Sequence, residues 1–185
     1  MDEDGIRDED LLMRLRQGDR NALGRLYVRY RLRLYGYCFR LLRNTAEAED
    51  AVHETFLKVS GGADSLTATG AFRSWVFRIA RNESLMILRR KHGHRAADPD
   101  ELSDETTPLE ILMAKDAGEV VRRVLDRLRV DYRDVLLLRE VEGLSYAEIA
   151  LVTEATLDSV KSRIFKARKA LQQNLERWKT ERSEL

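Results

Sequence analysis

The sequence predicts an all-α protein built as two small helical domains joined by an acidic, extended linker. Three observations predict this fold class. Apolar residues recur at helical spacing along most of the chain, both prolines fall in one central stretch, and that stretch is strongly acidic. The chain has 185 residues, of which 43% are apolar. It is therefore long enough for one domain or two small ones, and too apolar for a disordered protein.

The charge distribution marks the division between the domains. Residues 1–95 contain 18 basic and 13 acidic residues, for a net charge of +5. Residues 96–116 contain one basic and seven acidic residues, for −6, and include Pro99 and Pro108. Residues 117–185 contain 14 basic and 12 acidic residues, for +2. We predict helical domains at the first and last of these ranges and an extended linker between them.

Two helices open the first domain. Asp8 is placed to cap a short helix that ends at Gly18, and Asp19 opens a long second helix. The second helix carries a stripe of apolar residues at offsets of three and four: Leu23, Leu26, Tyr27, Tyr30, Leu34, Tyr37, Cys38 and Leu41.

A third helix is predicted from about residue 45 to 59, followed by a glycine-bracketed loop at 61–70. Its predicted buried side is Ala48, Val52, Phe56 and Val59. On the opposite side, the carboxylates of Glu47, Asp50 and Glu54 surround the outward Leu57. Such a face could dock onto a basic helix of a partner protein, or it could be an ordinary solvated surface.

The fourth helix follows that loop, and its two sides differ in chemistry. The residues expected to face the core are Phe72, Val76, Ile79 and Ile87. The residues that share the opposite side, with Leu85 between them, are Arg78, Arg81, Asn82 and Arg89. Arginines can bind phosphates and asparagine can read a base edge, but a basic solvated face would show the same pattern.

The second domain ends in a helix-turn-helix pattern. One helix is expected around residues 120–128 and another at 132–142, ended by Gly143. Ser145 and Glu148 form an S-x-x-E capping box, and a break near residues 153–155 precedes a last helix capped by Thr156. Its buried positions are predicted at Val160, Ile164, Ala167, Leu171 and Leu175. In a helix-turn-helix protein, the exposed first turns of this second helix read bases in the major groove.

Several classes of protein are excluded by what the sequence lacks. A P-loop, a G-x-S-x-G motif and a cysteine pair for zinc are all missing, so we expect no enzyme activity and no cofactor or metal. The single cysteine, Cys38, excludes an internal disulfide and fits a reducing cytoplasm. The acidic N-terminus is unlike a signal peptide, and no apolar run approaches a membrane span, so membrane insertion is not expected.

Two blocks of sequence resemble one protein family. DYRDVLLLREVEGLSYAEIA followed by SVKSRIFKARKAL resembles region 4 of the extracytoplasmic-function sigma factors of bacterial RNA polymerase, in the sigma-70 family. EAEDAVHETFLKV followed by AFRSWVFRIARN and LRRK resembles their region 2. The resemblance covers nearly the whole chain and implies three partners: core RNA polymerase, promoter DNA and an anti-sigma factor.

The resemblance also implies roles for individual residues. The third helix would dock on the clamp helices of the polymerase through Asp50, His53, Glu54 and Leu57. The −10 element would be bound and melted by Ser65, Leu66, Arg78, Arg81, Asn82 and Arg89. The −35 element would be read by Thr156, Asp158, Ser159, Lys161, Ser162, Arg163, Phe165, Lys166 and Lys169. The acidic linker would thread the channels of the polymerase.

This chain departs from the family pattern at several positions. Glu154 and Asp158 stand where the family often has glycine, which puts the geometry of the turn and the −35 preference in question.

Two other classes of function remain open on the residues alone. One is a conventional regulator that binds an operator through the helix-turn-helix, and the other is a helical adaptor that binds only protein.

Overall fold

The computed structural model describes residues 5–62, 72–91 and 117–183, and all regular structure in those ranges is helical. The first four helices are α1 (Asp8–Arg16), α2 (Arg20–Leu42), α3 (Thr45–Gly62) and α4 (Phe72–Lys91). The last four are α5 (Ala117–Asp126), α6 (Val130–Leu136), α7 (Tyr146–Thr153) and α8 (Leu157–Ser183). The predicted linker at 96–116 lies outside the described residues. The all-α prediction is confirmed.

The N-terminal helices differ from the prediction at one cap. Asp19 caps α2 as predicted, because its carboxylate accepts a hydrogen bond of 2.9 Å from the backbone amide of Asn21. Asp8 does not cap α1; it is the first helical residue, and its side chain binds α2 instead. Its carboxylate pairs with Arg29 at 2.5 Å and accepts a hydrogen bond from the hydroxyl of Tyr30. Burial, together with this bond to the Asp8 carboxylate, raises the pKa of Tyr30.

The core of the first four helices is aromatic. From α2, Tyr30 meets Phe72 edge-on at 5.4 Å between ring centroids, and Tyr37 meets Phe77 at 5.7 Å. Most of the predicted α2 stripe is buried, but Tyr27 is 42% exposed. It lies at the border of the core, where its ring contacts Phe56 of α3 edge-on at 4.8 Å.

The inner side of α4 was predicted with the wrong set of residues. Phe72 and Val76 are buried as expected, whereas Ile79 and Ile87 are only half-buried. The buried positions further along α4 are Phe77, Ala80, Glu83, Ser84 and Leu88. These positions lie further round the helix than the predicted ones, so the side of α4 that faces the core is rotated from the predicted side.

Two helix ends also lie elsewhere than predicted. The third helix was expected to stop near residue 59, but α3 continues through Gly61 and Gly62. The helix expected at 132–142 begins earlier, and α6 runs into a π-helical turn at Leu137–Val141. Gly143 follows with a φ of +67°, a left-handed conformation that glycine adopts without strain.

The α5–α6 segment buries several charged side chains. Arg123, Asp126, Arg133, Asp134 and Glu142 are all at least nine-tenths buried. A guanidinium nitrogen of Arg133 lies 3.6 Å from a carboxylate oxygen of Asp126. A buried charge is costly unless it is paired, and this pair joins the end of α5 to α6.

Contacts divide the chain into two compact units. One unit comprises Met1–Gly93 together with Ala147–Ala155, and the other comprises His94–Tyr146 together with Thr156–Leu185. The domain boundaries predicted from sequence, at 95/96 and 116/117, stay predictions. Within the described ranges, the structure contains no helix that is both long enough and apolar enough to cross a membrane.

Candidate polymerase and DNA interfaces

The outer face of α3 has the chemistry that the sequence predicted. Its inner residues Ala48, Val52, Phe56 and Val59 are buried. Asp50, His53 and Glu54 are exposed on the other side, and Leu57 is 53% exposed among them. Among the residues that the structure describes, Asp50 and Glu54 form no ion pair, so both carboxylates are available to a cationic partner.

A groove of about 860 Å³ runs beside this face, between α3 and α4. The α3 side is lined by Glu47, Asp50, Ala51, His53, Glu54 and Lys58. The α4 side is lined by Glu83, Met86, Ile87, Arg90 and Lys91. Sequence reasoning missed the α4 wall, because helical spacing shows which residues share a helix face but not which face lies beside another helix. Ile87 was expected in the core, but it is half-buried and lines the groove together with Met86.

Two ion pairs hold the walls of the groove together. The ammonium of Lys58 lies 2.5 Å from the carboxylate of Glu83, whose side chain is only 5% exposed. The ammonium of Lys91 lies 2.8 Å from the carboxylate of Glu47. The two lysines neutralise the negative charges of Glu83 and Glu47. The negative charge left for a partner therefore comes from Asp50 and Glu54, which also line the groove and are exposed.

The basic face of α4 is also formed as predicted. Helical spacing places Arg78, Arg81, Asn82 and Arg89 within roughly a third of a turn, on the side away from the buried Ala80. Asn82 and Arg89 are exposed, and the two other arginines are half-buried. The other residues predicted to bind the −10 element, Ser65 and Leu66, lie outside the described residues.

The turn of the helix-turn-helix pattern is made without glycine. Helix α7 ends at Thr153, and Glu154 takes a φ of +54°, the left-handed conformation for which glycine is the usual residue. The amide of Ala155 then donates a 3.1 Å hydrogen bond back to the carbonyl of Ala150. Helix α8 begins after Thr156, whose hydroxyl accepts a 3.2 Å hydrogen bond from the amide of Ser159. The predicted cap at Thr156 is confirmed, while the predicted Ser145 capping box stays a prediction.

The first turns of α8 present the polar and basic residues expected of a recognition helix. Val160, Ile164 and Ala167 are buried as predicted. The predicted −35 residues that are exposed are Thr156, Asp158, Ser159, Lys161, Ser162, Phe165, Lys166 and Lys169, and Arg163 is half-buried. Phe165 stands out because 72% of its surface is exposed. An aromatic ring held in solvent is available for apolar contact, for example with a thymine methyl group.

The charges beside this face are partly neutralised within the protein. Asp158 lies 3.4 Å from the ammonium of Lys161, one turn further along α8. Arg168 binds Glu140, with a shortest distance of 2.6 Å. The Arg168 pair links α8 to the π-helical turn before it. Sequence reasoning missed this pair, because its two members are 28 residues apart.

Comparisons with known proteins decide the family. The family model for sigma-70 region 2 matches residues 26–94, and the model for sigma-70 region 4 matches residues 118–171. The RNA polymerase sigma-H factor of Pseudomonas aeruginosa is 31% identical over 182 residues, which cover 91% of this chain and 94% of that protein. The chain belongs to the sigma-70 family. The ECF RNA polymerase sigma-E factor of Escherichia coli is 31% identical over 179 residues, covering 90% and 93% of the two chains, and this places the protein in the extracytoplasmic-function group.

Two solved structures share the fold. CnrH, in complex with the cytosolic domain of CnrY, has a TM-score of 0.69 and 24% identity, covering 91% of this chain and 97% of that one. The sigma factor RpoE of Bartonella quintana, in complex with the anti-sigma factor NepR, has a TM-score of 0.65 and 26% identity, covering 83% and 96%. The sigma-factor resemblance read from the sequence is confirmed.

Proposed function

We propose that this sigma factor contacts polymerase and promoter through three separate helical surfaces: the α3 face, the α4 arginine face and the first turns of α8. As a sigma factor, it binds core RNA polymerase and directs initiation at specific promoters. The observation that carries the assignment is the contrast in charge between surfaces. Asp50 and Glu54 on α3 are exposed and form no ion pair within the described ranges, whereas cations and polar residues lie on α4 and α8.

The α3 face is the proposed site for the clamp helices of the polymerase. Asp50 and Glu54 supply the charge, Leu57 supplies an apolar anchor, and the groove beside them gives a partner helix a surface to follow. His53 is exposed beside these two carboxylates on the same helix. A helix that enters such a site would carry basic residues opposite the carboxylates and an apolar residue opposite the leucine.

The DNA surfaces divide the work of promoter recognition. The α4 face, with Arg78, Arg81 and Arg89 around Asn82, would bind the −10 element and stabilise the melted strands. The first turns of α8 would enter the major groove at the −35 element, where Ser162 and Lys166 would contact base edges. Ser65 and Leu66 would complete the −10 site by holding a flipped base, whose unstacking costs a few kcal/mol.

The remaining roles follow from the family. The linker at 96–116, with its net charge of −6, would lie in polymerase channels in which its carboxylates replace nucleic-acid phosphates. An anti-sigma factor is the expected regulator. The protein would act in the cytoplasm, and the polymerase rather than this chain would supply the chemistry.

Run-off transcription tests this function against an operator-binding regulator. The full chain is added to core polymerase on a randomised promoter library, and the transcribed templates are sequenced. A sigma factor should select two elements at fixed spacing, and it should do so only with core polymerase. Free protein that retains one operator as tightly as the holoenzyme does, with no new start sites, would favour the regulator. Core binding without any promoter selection would favour a protein adaptor.

A further inference from the structure

The outer side of α2 is unexpectedly apolar. The inner side of this helix builds the core, with Leu26 and Leu34 fully buried. On the outer side, Val28 is 69% exposed and Leu32 is 70% exposed. Single exposed aliphatic residues are common on proteins, but two at a spacing of four residues lie next to each other on one helix face.

Two aromatic residues extend this pair into a stripe along the helix. Tyr35 lies seven residues after Val28, and Phe39 lies eleven residues after it. With Leu32, all four therefore lie on one side of α2. The rings of Tyr35 and Phe39 are stacked, with centroids 6.0 Å apart and planes 13° apart. Both are half-buried, so they form a flat apolar floor at the C-terminal end of the exposed stripe.

Arginines border the stripe, and acids do not occur on this helix. Helix α2 contains six arginines and no aspartate or glutamate. Some of them are held by other groups: Arg29 pairs with Asp8, and Arg40 donates a 2.9 Å hydrogen bond to the carbonyl of Gly36. Arg25 and Arg31 are exposed and lie on opposite sides of the stripe, about 60° from its centre. The surface is therefore apolar along the middle and cationic at both edges.

We propose that this α2 stripe, formed by Val28, Leu32, Tyr35 and Phe39 between Arg25 and Arg31, binds an acidic amphipathic helix of a partner protein. Apolar side chains of that helix, at spacings of three and four residues, would cover Val28 and Leu32. Its flanking carboxylates would meet the two arginines. This site goes beyond the proposed polymerase contact, because its charge is opposite to that of the α3 face.

The same observations disfavour DNA and lipid as the occupant. DNA backbone binding uses cations and gives no role to an exposed Val28 or Leu32. A membrane-surface helix sinks an apolar face about 5–10 Å into the lipid. Helix α2 offers only two strongly exposed aliphatic side chains, and its other side is fixed in the core by residues such as Tyr30 and Tyr37. A shallow stripe of this kind matches the width of another helix.

Three synthetic probes test the proposal on the full chain. The first is a labelled helical peptide with leucines at i, i+4, i+7 and i+11 flanked by glutamates. The second has lysine at every glutamate, and the third has the first sequence scrambled. Fluorescence anisotropy should show binding of the acidic peptide alone. V28E with L32E should weaken that binding at least tenfold, whereas Val141→Glu, at a residue that is 50% exposed elsewhere, should not.

Charge exchange then tests the arginines. R25E with R31E should reverse the preference, so that the lysine peptide binds and the glutamate peptide does not. Circular dichroism and thermal melting check that each variant is folded. The proposal fails if the acidic peptide binds equally well after V28E with L32E. It also fails if the wild-type protein binds phosphatidylglycerol vesicles or duplex DNA instead of the peptide, and V28E with L32E weakens that binding. The occupant would then be a lipid surface or nucleic acid.

Discussion

The α3 face and the α8 face are both polar surfaces laid opposite a buried stripe, yet they are built in different ways. The α8 surface lies on one helix, and nearly all of its predicted residues are exposed. The α3 surface needs two helices, because the groove beside Asp50 and Glu54 has α4 as its second wall. A surface on one helix follows from periodicity, whereas a surface shared by two helices also depends on how they pack.

The two surfaces also use charge differently. Beside the α3 face, lysines neutralise two of the acids that line the groove, through the Lys58–Glu83 and Lys91–Glu47 pairs. The outer carboxylates are left without ion pairs among the described residues. On α8, the Asp158–Lys161 pair lies fully at the surface, where it is screened and contributes little. We therefore expect charge to dominate binding at α3, and individual contacts to dominate at α8.

The largest effect is expected from reversing charge on α3. Asp50→Arg with Glu54→Arg replaces two attractions to a basic partner helix by two repulsions, each worth on the order of 1–2 kcal/mol or more. The affinity for core polymerase should fall by roughly a hundredfold or more. The control is Glu49→Arg, an exposed acid on α3 that does not line the groove. Normal core affinity in a folded double variant would remove the clamp-helix assignment.

A smaller and sequence-dependent effect is expected on α8. Lys166→Ala and Ser162→Ala should each cost about 1–3 kcal/mol at the preferred −35 sequence and should relax the preference there. A phosphate contact would instead weaken all promoters alike. The measurement is run-off transcription across a set of −35 variants, with Lys179→Ala further along the same helix as the control. An unchanged ranking of promoters in both variants would show that the recognition face lies elsewhere.

The residues that escaped sequence reasoning share one physical property. The helix-turn-helix motif, the α3 face and the caps at Asp19 and Thr156 depend on neighbours within four residues, so local patterns predicted them. Asp8 was misread because its partners Arg29 and Tyr30 lie on the next helix. The inner side of α4 was misread because its rotation about its own axis is set by the helices it packs against. Both cases depend on tertiary contacts, which periodicity does not contain.

The turn before α8 gives a test of backbone strain. Glu154 has a φ of +54°, and a residue with a Cβ in that region costs roughly 1–2 kcal/mol relative to glycine. Glu154→Gly should therefore be more stable than Glu154→Ala by about 1 kcal/mol, after the larger entropy of an unfolded glycine is included. Both variants lack the same carboxylate, so their difference in urea unfolding reports the backbone alone. Equal stabilities would show that the turn is not held in the left-handed conformation.

The smallest effect is expected from the buried thiol, and only in alkaline solution. Burial raises the pKa of Cys38 from 9.0 to about 12. Above pH 9 the unfolded chain loses this proton while the folded chain keeps it, so the unfolded state binds fewer protons and the free energy of unfolding falls as pH rises. The loss should be about 1 kcal/mol by pH 10. Cys38→Ala will be less stable at every pH because it leaves a cavity, but its stability should fall less steeply between pH 8 and 10. The same slope in both proteins, measured by urea unfolding, would show that Cys38 ionises in the folded state as readily as in the unfolded chain.

Because burial also shields the thiol, native protein should resist alkylation by iodoacetamide at pH 8 and react once it is unfolded in urea.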